Sequence, residues 1–162
     1  MIIRKFQKQD TRQVSRLIYR TFRKFNGREY FRKGIIREYL DQYDTGKHTA
    51  QYLYERFRQN PVFLVAVDGG RIIGMIRGGK TGIGNLFVEG NRHRKGTGTK
   101  LMAEFEKRVG RLKAEKLKVR STLYATPFYQ SVGFRKTTGI RNFRGHKTQP
   151  MMKILGALKK PG

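Results

Sequence analysis

The order strand, loop, helix, strand across residues 84–122 constrains the fold of this chain most. The pattern predicts a strand at 84–88, a basic loop with glycines, a helix whose apolar residues run from Leu101 to Leu112, and a strand at 117–122. Two strands joined through a helix need a crossover connection and form a parallel pair. The preceding segment 62–76 is predicted to be an antiparallel hairpin, because two apolar runs flank Asp68-Gly69-Gly70. The sheet is therefore predicted to be mixed.

The remaining elements extend this sheet and flank it with helices. Ile2–Phe6 predicts an opening strand, and Asp10 is the predicted N-cap of a first helix that ends at Asn26-Gly27. Two further helices are predicted before Pro61. Thr126-Pro127 opens a short helix, and final strands are expected at 134–138 and 147–155. The predicted fold class is α/β (α+β), as a single domain over residues 1–162 with a mixed, mostly antiparallel sheet.

The charge of the chain indicates anionic ligands. Thirty-seven Lys and Arg residues face 11 Asp and Glu residues, a formal net charge of +26. Residues 116–162 contain 11 basic residues and no acidic one. Such a field attracts polyanions and predicts salt-sensitive, nonspecific association with nucleic acid. It also suits a small anionic cofactor.

Several classes of function are excluded or disfavoured by composition. The sequence contains no Cys, which excludes disulfides, thiol nucleophiles and Cys-ligated metals. His48 and His146 are isolated in the sequence, so both are expected at the surface and no metal site is predicted. The longest apolar run, Val62–Val67, is far too short for a membrane span, and the opening residues lack an apolar run typical of a signal peptide. We therefore expect a cytoplasmic protein with no membrane partner.

The stretch from Leu86 to Leu101 carries the strongest chemical signal. Its sequence, LFVEGNRHRKGTGTKL, places a basic loop and two glycines between a strand and a helix. The first amides of a helix lack internal partners and lie at the positive end of the helix dipole, so this arrangement suits a pyrophosphate. A P-loop is excluded, because Gly96 is followed by Thr97 rather than Lys. The dinucleotide fingerprint is excluded as well, because a third glycine is missing.

This segment resembles the acetyl-CoA-binding motif of the GNAT superfamily of N-acetyltransferases. A second GNAT signature follows at the expected distance, in the sequence ATPFYQSVGF from Ala125 to Phe134. The two signatures occur in order with a helix and a strand between them, and the resemblance covers nearly the whole chain. It implies a GNAT-like sheet in which the strand before the loop splays away from its parallel neighbour, and acetyl-CoA as the cofactor.

The resemblance also implies which residues contact acetyl-CoA. Backbone groups of the splayed strand pair with the pantetheine arm, an amide near Val88 polarises the thioester carbonyl, and the loop and helix start hold the pyrophosphate. Three positions depart from the usual family pattern: His93 replaces Gln or Arg, Arg94 replaces Gly, and Thr122 replaces Asn. The implied cofactor-binding residues are Leu86, Phe87, Val88, His93, Arg94, Lys95, Gly96, Thr97, Gly98, Thr99, Thr122 and Phe128.

The implied reaction is direct attack of a neutral primary amine on the acetyl carbon within a ternary complex. Tyr129 matches the tyrosine that protonates the leaving thiolate in many family members, and a phenol with a pKa of about 10 is a suitable donor. Tyr129 also has the spacing of a core residue, so a purely structural role stays open. Glu89, at the end of the splayed strand, is the first candidate for general base, with a relay through water as the alternative.

The acceptor amine and the assembly stay open at the level of sequence. The acceptor is either a small molecule or a protein amine, and the positive charge of the chain disfavours polyamines and aminoglycosides. That exclusion is softened by acidic residues in the expected acceptor region: Glu29, Glu38, Asp41, Asp44 and Glu55. The alternative function is a basic GNAT-fold binding module that docks to nucleic acid or the ribosome with little or no catalysis. Either a monomer or a homodimer fits.

Overall fold

A computed structural model describes residues 1–32 and 34–156. After one short strand the chain forms three helices, and then a series of strands that contains the two remaining helices. The helices are α1 Thr11–Asn26, α2 Ile35–Asp41, α3 Ala50–Phe57, α4 Thr97–Arg111 and α5 Thr126–Ser131. The strands are β1 Ile2–Lys5, β2 Val62–Asp68, β3 Arg71–Gly79, β4 Gly82–Val88, β5 Lys116–Thr122, β6 Arg135–Lys136, β7 Arg141–Phe143 and β8 His146–Ile154.

The strands form one mixed sheet in the order β1-β2-β3-β4-β5-β8-β6, with β7 also pairing to β8. All neighbouring pairs within the described residues are antiparallel except β4 and β5. Those two strands pair in parallel through Gly82–Lys118 and Ile83–Val119. Beyond Ile83, β4 continues along β3 while β5 continues along β8, so the sheet opens between them. The mixed sheet with one parallel, splayed pair confirms the predicted fold class.

Helices cover both faces of the first half of the sheet. Side chains of β2 alternate between them: Leu64 and Ala66 pack with α4, while Phe63 and Val65 pack with α1 and α3. Strands buried on both faces are typical of a sheet between two helical layers. Within α4, Leu101 and Phe105 are fully buried, and each stabilises the fold by about 1.5–3 kcal/mol. This packing fixes the start of α4 against the end of β4.

The second half of the sheet is covered on one face only. Leu117, Val119 and Met151 lie in the core beneath α4 and α5. The alternate residues of β5 are exposed. This uncovered face carries Lys116 and Lys118, two basic residues from the acid-free part of the chain.

The predicted elements match the structure closely, with differences at their ends. The apolar residues from Phe31 to Tyr43 predict a second helix of that extent, but α2 spans only Ile35–Asp41, and β7 was not predicted. Asp10 does precede α1, but its side chain does not cap that helix. Its carboxylate instead accepts from the Gln7 amide at 2.8 Å and from the Arg4 guanidinium at 2.7 Å, which ties the end of β1 to the start of α1. The Asp10 carboxylate also raises the pKa of Arg4 through this hydrogen bond.

None of the helices in the described ranges is both long enough and apolar enough to span a lipid bilayer.

Candidate active site

A cavity of about 1380 Å³ opens where β4 and β5 diverge. One end is lined by β4, the following loop and the start of α4, and we call it the gap end (residues 84–99). The other end lies against α2, β3 and β8. We call it the polar end, after the residues that line it: Tyr39, Tyr43, Arg77 and His146. Asn85 belongs to β4, and its side chain reaches this end through hydrogen bonds with Arg77 and Tyr39. The cavity is therefore bounded by the splayed strands on one side and by the helical layer on the other.

Backbone geometry leaves part of β4 free to bind a ligand. The Glu89 amide donates to the Ile73 carbonyl at 2.9 Å. Hydrogen-bonded pairs alternate along an antiparallel ladder, so the N–H and C=O of Phe87 bond across to β3. Those of Leu86 and Val88 point the other way, into the gap. The gap end thus offers a short row of strand groups of the kind that pairs with an extended amide chain.

The loop after β4 is held in place by His93. The His93 Nε2 lies 2.7 Å from the Val88 carbonyl, and because a carbonyl only accepts, this nitrogen carries the proton. The ring packs against Phe25 with centroids 4.5 Å apart, and its Nδ1 lies 3.3 Å from the Tyr124 hydroxyl. His93 therefore occupies one of the gap-facing carbonyls and fixes the loop to α1.

The helix start beyond this loop is shaped by two glycines with different roles. Gly96 has φ of +84°, in the left-handed region that side chains rarely adopt. Gly98 has little space, since a β-carbon there would lie 3.1 Å from the Phe128 ring. The first intrahelical bond runs from the Lys100 amide to the Gly96 carbonyl at 3.0 Å, so the amides of the first turn before it lack intrahelical partners. They form a free N-terminus of the kind that suits an anion, on a helix of 15 residues.

Most of the predicted cofactor residues come together on this cavity. Those that line it are Leu86, Phe87, Val88, His93, Arg94, Gly96, Gly98, Thr99, Thr122 and Phe128. Lys95 is exposed outside the lining, and the Thr97 side chain is buried in the core beside Gly74. Thr97 therefore offers its backbone rather than its hydroxyl to the helix terminus.

Tyr129 lies at the floor of the cavity on α5, with 4% of its surface exposed. Its ring packs edge-on against Phe128 and Phe134. Among the described residues its hydroxyl has no hydrogen-bond partner, yet it is not one of the sealed-off polar atoms, so it faces the cavity. Burial raises the pKa of the phenol above its ordinary value. Tyr129 is therefore a protonated donor group at neutral pH.

Glu89, the predicted general base, lies outside the cavity lining. Glu89 is 9% exposed, and its carboxylate pairs with Arg71 and, at 3.4 Å, with Arg20. The Glu89 carboxylate is therefore engaged by two arginines at a place outside the cavity lining. The role of Glu89 as base stays a prediction, and the geometry favours groups at the polar end.

His146 was expected at the surface, and that expectation is wrong. It is half-buried, lines the cavity, and packs edge-on against Phe22 and Tyr39 at centroid distances of 5.5 and 5.4 Å. Burial lowers its pKa, an effect that Glu38 partly opposes. A histidine that is neutral at pH 7 therefore stands beside the cavity. Its position depends on the pairing of β7 with β8, which the sequence pattern did not reveal.

Glu29 joins the helical layer to the far side of the gap. Its carboxylate accepts from the backbone amides of Leu123 and Tyr124 at 3.0 and 2.6 Å and from the Asn26 side chain at 3.2 Å. Its backbone carbonyl accepts from the Lys147 amide at 3.1 Å. This residue was predicted only as one of several acids in the acceptor region. The structure shows that it positions the loop before α5, which carries Tyr129.

A cluster of hydrogen-bonded side chains forms the floor of the polar end. Arg77 donates to the Asn85 side-chain oxygen and to the Tyr43 hydroxyl, each at 2.7 Å. Asn85 in turn donates to the Tyr39 hydroxyl at 3.4 Å. Burial raises the pKa of Tyr39 well above its ordinary value, so it remains neutral. These residues come from α2, β3 and β4, and no local motif marks them.

A strand gap, a free helix terminus and a buried phenol line one cavity, an arrangement that suits acyl transfer from a carrier with an extended amide arm and a pyrophosphate. A family profile described as "Acetyltransferase (GNAT) domain" matches residues 27–155. The chain belongs to the GNAT acetyltransferase family, which confirms the resemblance found in the sequence.

Solved structures share this fold over nearly their full length. A GCN5-related N-acetyltransferase from Rhodopseudomonas palustris has a TM-score of 0.78 at 18% identity, with 95% of each chain covered. The PaiA N-acetyltransferase from Thermoplasma acidophilum, solved in complex with coenzyme A, has a TM-score of 0.72 at 17% identity and covers 94% of this chain and 98% of its own. An aminoglycoside 6'-N-acetyltransferase, also complexed with coenzyme A, has a TM-score of 0.67 at 18% identity, covering 96% of this chain and 97% of its own. No curated protein sequence matches the chain significantly.

Proposed function

We propose that this acetyltransferase transfers the acetyl group of acetyl-CoA directly to a primary amine bound at the polar end. The carrying observation is that the β4–β5 gap, the free helix terminus at Gly96 and the buried Tyr129 all line one cavity. The acetyl donor is acetyl-CoA, consistent with the family and with fold neighbours bound to coenzyme A. The residues fit this donor: Leu86 and Val88 suit the pantetheine amides, and the first turn of α4 suits the pyrophosphate.

The proposed reaction needs one proton acceptor and one proton donor. The acceptor ammonium first loses a proton, and His146 is placed and poised to take it because its lowered pKa keeps it neutral. The amine nitrogen then bonds to the acetyl carbon while the carbon–sulfur bond breaks. The gap-facing Val88 amide stabilises negative charge on the carbonyl oxygen. Tyr129 donates its proton to the leaving thiolate, and the second proton of the amine nitrogen, released as the amide forms, returns through solvent to the phenolate.

Titration calorimetry with acetyl-CoA tests the donor site. The expected result is one-to-one binding that is at least about tenfold tighter than ATP and persists as salt rises, because a shaped site adds strand pairing to charge attraction. ATP is the essential comparison on a chain with net charge +26. Equal binding of both nucleotides that salt abolishes contradicts the proposal.

Tyr129→Phe tests the chemistry independently of binding. Removing the proton donor is expected to lower kcat by about 100-fold, a typical contribution of general acid catalysis. The affinity for acetyl-CoA is expected to stay within about twofold, since the ring and its packing remain. An unchanged kcat would assign Tyr129 to the core.

A second candidate activity is nucleic-acid binding on the uncovered face of the sheet. Lys116, Lys118 and Arg120 alternate with buried residues along β5, and Arg135 lies nearby on β6. Within residues 1–32 and 34–156 these four form no ion pair, whereas the acids of the chain all precede residue 116. An unneutralised cationic face is the electrostatic footprint expected for phosphate backbones.

Two triple variants of equal net charge separate a local site from the overall field. The first variant replaces Lys116, Lys118 and Arg135 by Gln. The second replaces Arg12, Arg16 and Arg23 of α1 by Gln. These three arginines are likewise exposed and form no ion pair within the described residues. Binding of a labelled single-stranded oligonucleotide is followed by fluorescence anisotropy at several salt concentrations. The slope of log K against log salt should become shallower by about 0.7 per removed contact in the first variant alone. Equal losses in both variants would reduce the interaction to net charge.

A further inference from the structure

The polar end of the cavity contains two arginines without a carboxylate partner. Arg77 and Arg56 are both half-buried and both line the cavity. Their guanidinium carbons lie 5.8 and 5.5 Å from the centre of the Tyr43 ring. Neither forms an ion pair with any acid in the described parts of the chain, although most acids there do pair.

Arg77 is held rigidly rather than left to move in solvent. Two of its nitrogens donate to Asn85 and Tyr43, and its guanidinium also stacks over Phe57 at 5.1 Å. Arg56 is fixed by two hydrogen bonds to Gln42, at 3.2 Å to the backbone carbonyl and 3.0 Å to the side chain. A guanidinium with remaining donors in a partly desolvated site binds carboxylate or phosphate more strongly than one in water.

The acids that line the cavity do not neutralise this pair. Glu29 is satisfied by backbone amides on the opposite side, and Glu38 pairs with Arg32 at 3.3 Å near the mouth. Asn85, the partner of Arg77, lies on β4 two residues beyond Ile83, the last residue paired with β5. Arg77 is therefore fixed beside the point where the strands diverge, through a residue three positions along β4 from Val88.

We infer that the acceptor carries an anionic oxygen group, a carboxylate or a phosphate, in addition to its amine, and that Arg77 and Arg56 bind that group. The inference rests on the proposed function and names its substrate class. The anion lies at the arginine pair, and the amine extends toward His146 and Glu38 across the cavity. A polycationic acceptor is disfavoured, because its second ammonium would face two arginines.

A matched set of acceptors tests this inference. The amines 4-aminobutyrate, butylamine and 1,4-diaminobutane share one chain and differ in bearing a carboxylate, a methyl group or a second ammonium. We expect kcat/KM to fall in that order by about tenfold or more per step, the range of one charge-assisted hydrogen bond. The pair O-phosphoethanolamine and ethanolamine asks the same question for phosphate.

Two variants of equal charge locate the effect. Arg77→Gln should lower kcat/KM for the preferred anionic amine by about 10–100-fold and leave butylamine within about threefold. Arg12→Gln, exposed on α1 and outside the cavity lining, should change neither. Butylamine equal to or better than the anionic amines, or equal losses in both variants, overturns the inference while leaving acetyl transfer intact.

Binding to the protein saturated with coenzyme A provides a readout without turnover. Calorimetry with 4-aminobutyrate and O-phosphoethanolamine should show saturable binding in the wild-type protein that Arg77→Gln weakens by about tenfold or more. No binding of either probe at tens of millimolar, where coenzyme A itself binds normally, also overturns the inference. Failure of coenzyme A to bind would instead contradict the proposed function.

Discussion

The gap end of the cavity is built from one continuous segment, whereas the polar end is assembled from parts of the chain that are far apart. Residues 84–99 supply the strand groups, the loop and the helix terminus. At the polar end, Arg77 meets Tyr43 across 34 positions, and on the far side of the gap Glu29 meets Tyr124 across 95. The first end works mainly through backbone groups, and the second through side chains. A common carrier can thus be bound by a fixed backbone shape while the acceptor site varies with its side chains.

The largest expected effect that tests this division comes from Glu29. Glu29→Ala leaves two backbone amides without their acceptor, which costs about 1–3 kcal/mol per buried group and less where water reaches the amide, as at the exposed Tyr124. We expect the acceptor KM to rise about tenfold or more and the Kd for acetyl-CoA to change by less than about twofold. Thermal unfolding and the two constants measured together check this prediction.

Glu29→Gln is the matched control, because it keeps one oxygen to accept one of the two amides. An intermediate effect is expected. A loss of acetyl-CoA affinity as large as the loss of acceptor affinity would show that the two ends are not separable, and that the loop before α5 serves both.

A smaller effect, on the binding of acetyl-CoA rather than of the acceptor, is expected at Gly96. Alanine in the left-handed region costs roughly 1–2 kcal/mol, which the loop can relieve only by moving the helix terminus. Gly96→Ala should therefore weaken acetyl-CoA by up to about tenfold and leave the acceptor KM nearly unchanged. Gly70→Ala is the control, since Gly70 is also left-handed with free space around it but lies in the β2–β3 turn. Equal effects of both variants on acetyl-CoA would show a general loss of stability.

The smallest effect concerns the pH dependence assigned to His146. Its pKa is lowered by burial against Phe22 and Tyr39, with the Glu38 carboxylate opposing the shift. Because the pKa is lowered, the neutral ring predominates at pH 7. The ring becomes protonated, and stops acting as a proton acceptor, only as the pH falls below the ordinary histidine range. The kcat/KM of the wild-type enzyme should therefore decline on the acid side.

His146→Gln should flatten that acid limb and lower kcat at pH 7 by roughly tenfold or less, since solvent can replace a proton acceptor. The affinity for acetyl-CoA is the control, because His146 lies outside the gap end. An unchanged acid limb would assign proton transfer to another group, with Glu89 or a water relay as the candidates from sequence.

The contrast between the two ends also explains what the sequence could predict. The gap end was predictable because its determinants are adjacent: a strand, Gly96 and Gly98, and the start of an amphipathic helix lie within 16 residues of Leu86. The antiparallel hairpin at 62–76 and the parallel pair joined by the crossover at 84–122 were predictable as well. Tyr129 was singled out through its neighbouring residues, and its core spacing already indicated burial, whereas its raised pKa could not be predicted.

The polar end escaped prediction because its contacts depend on tertiary packing. His146 was predicted at the surface, since nothing near it in sequence indicates that Phe22 and Tyr39 cover one side of its ring. Arg77 looked like one of many exposed cations on a basic chain. Glu89 had the right sequence position for a base, but the approach of Arg20 and Arg71 from other elements could not be read from it.

The cationic lining of the cavity has a consequence for turnover. Arg94, Arg120 and Arg144 line it from the loop after β4, β5 and the turn before β8. Their charge is expected to attract the donor and to retain the spent coenzyme equally well, because both carry the same phosphates. We therefore expect departure of this product to limit kcat. We expect moderate salt to raise kcat while it lowers kcat/KM for the donor, since screening shortens residence and slows capture together.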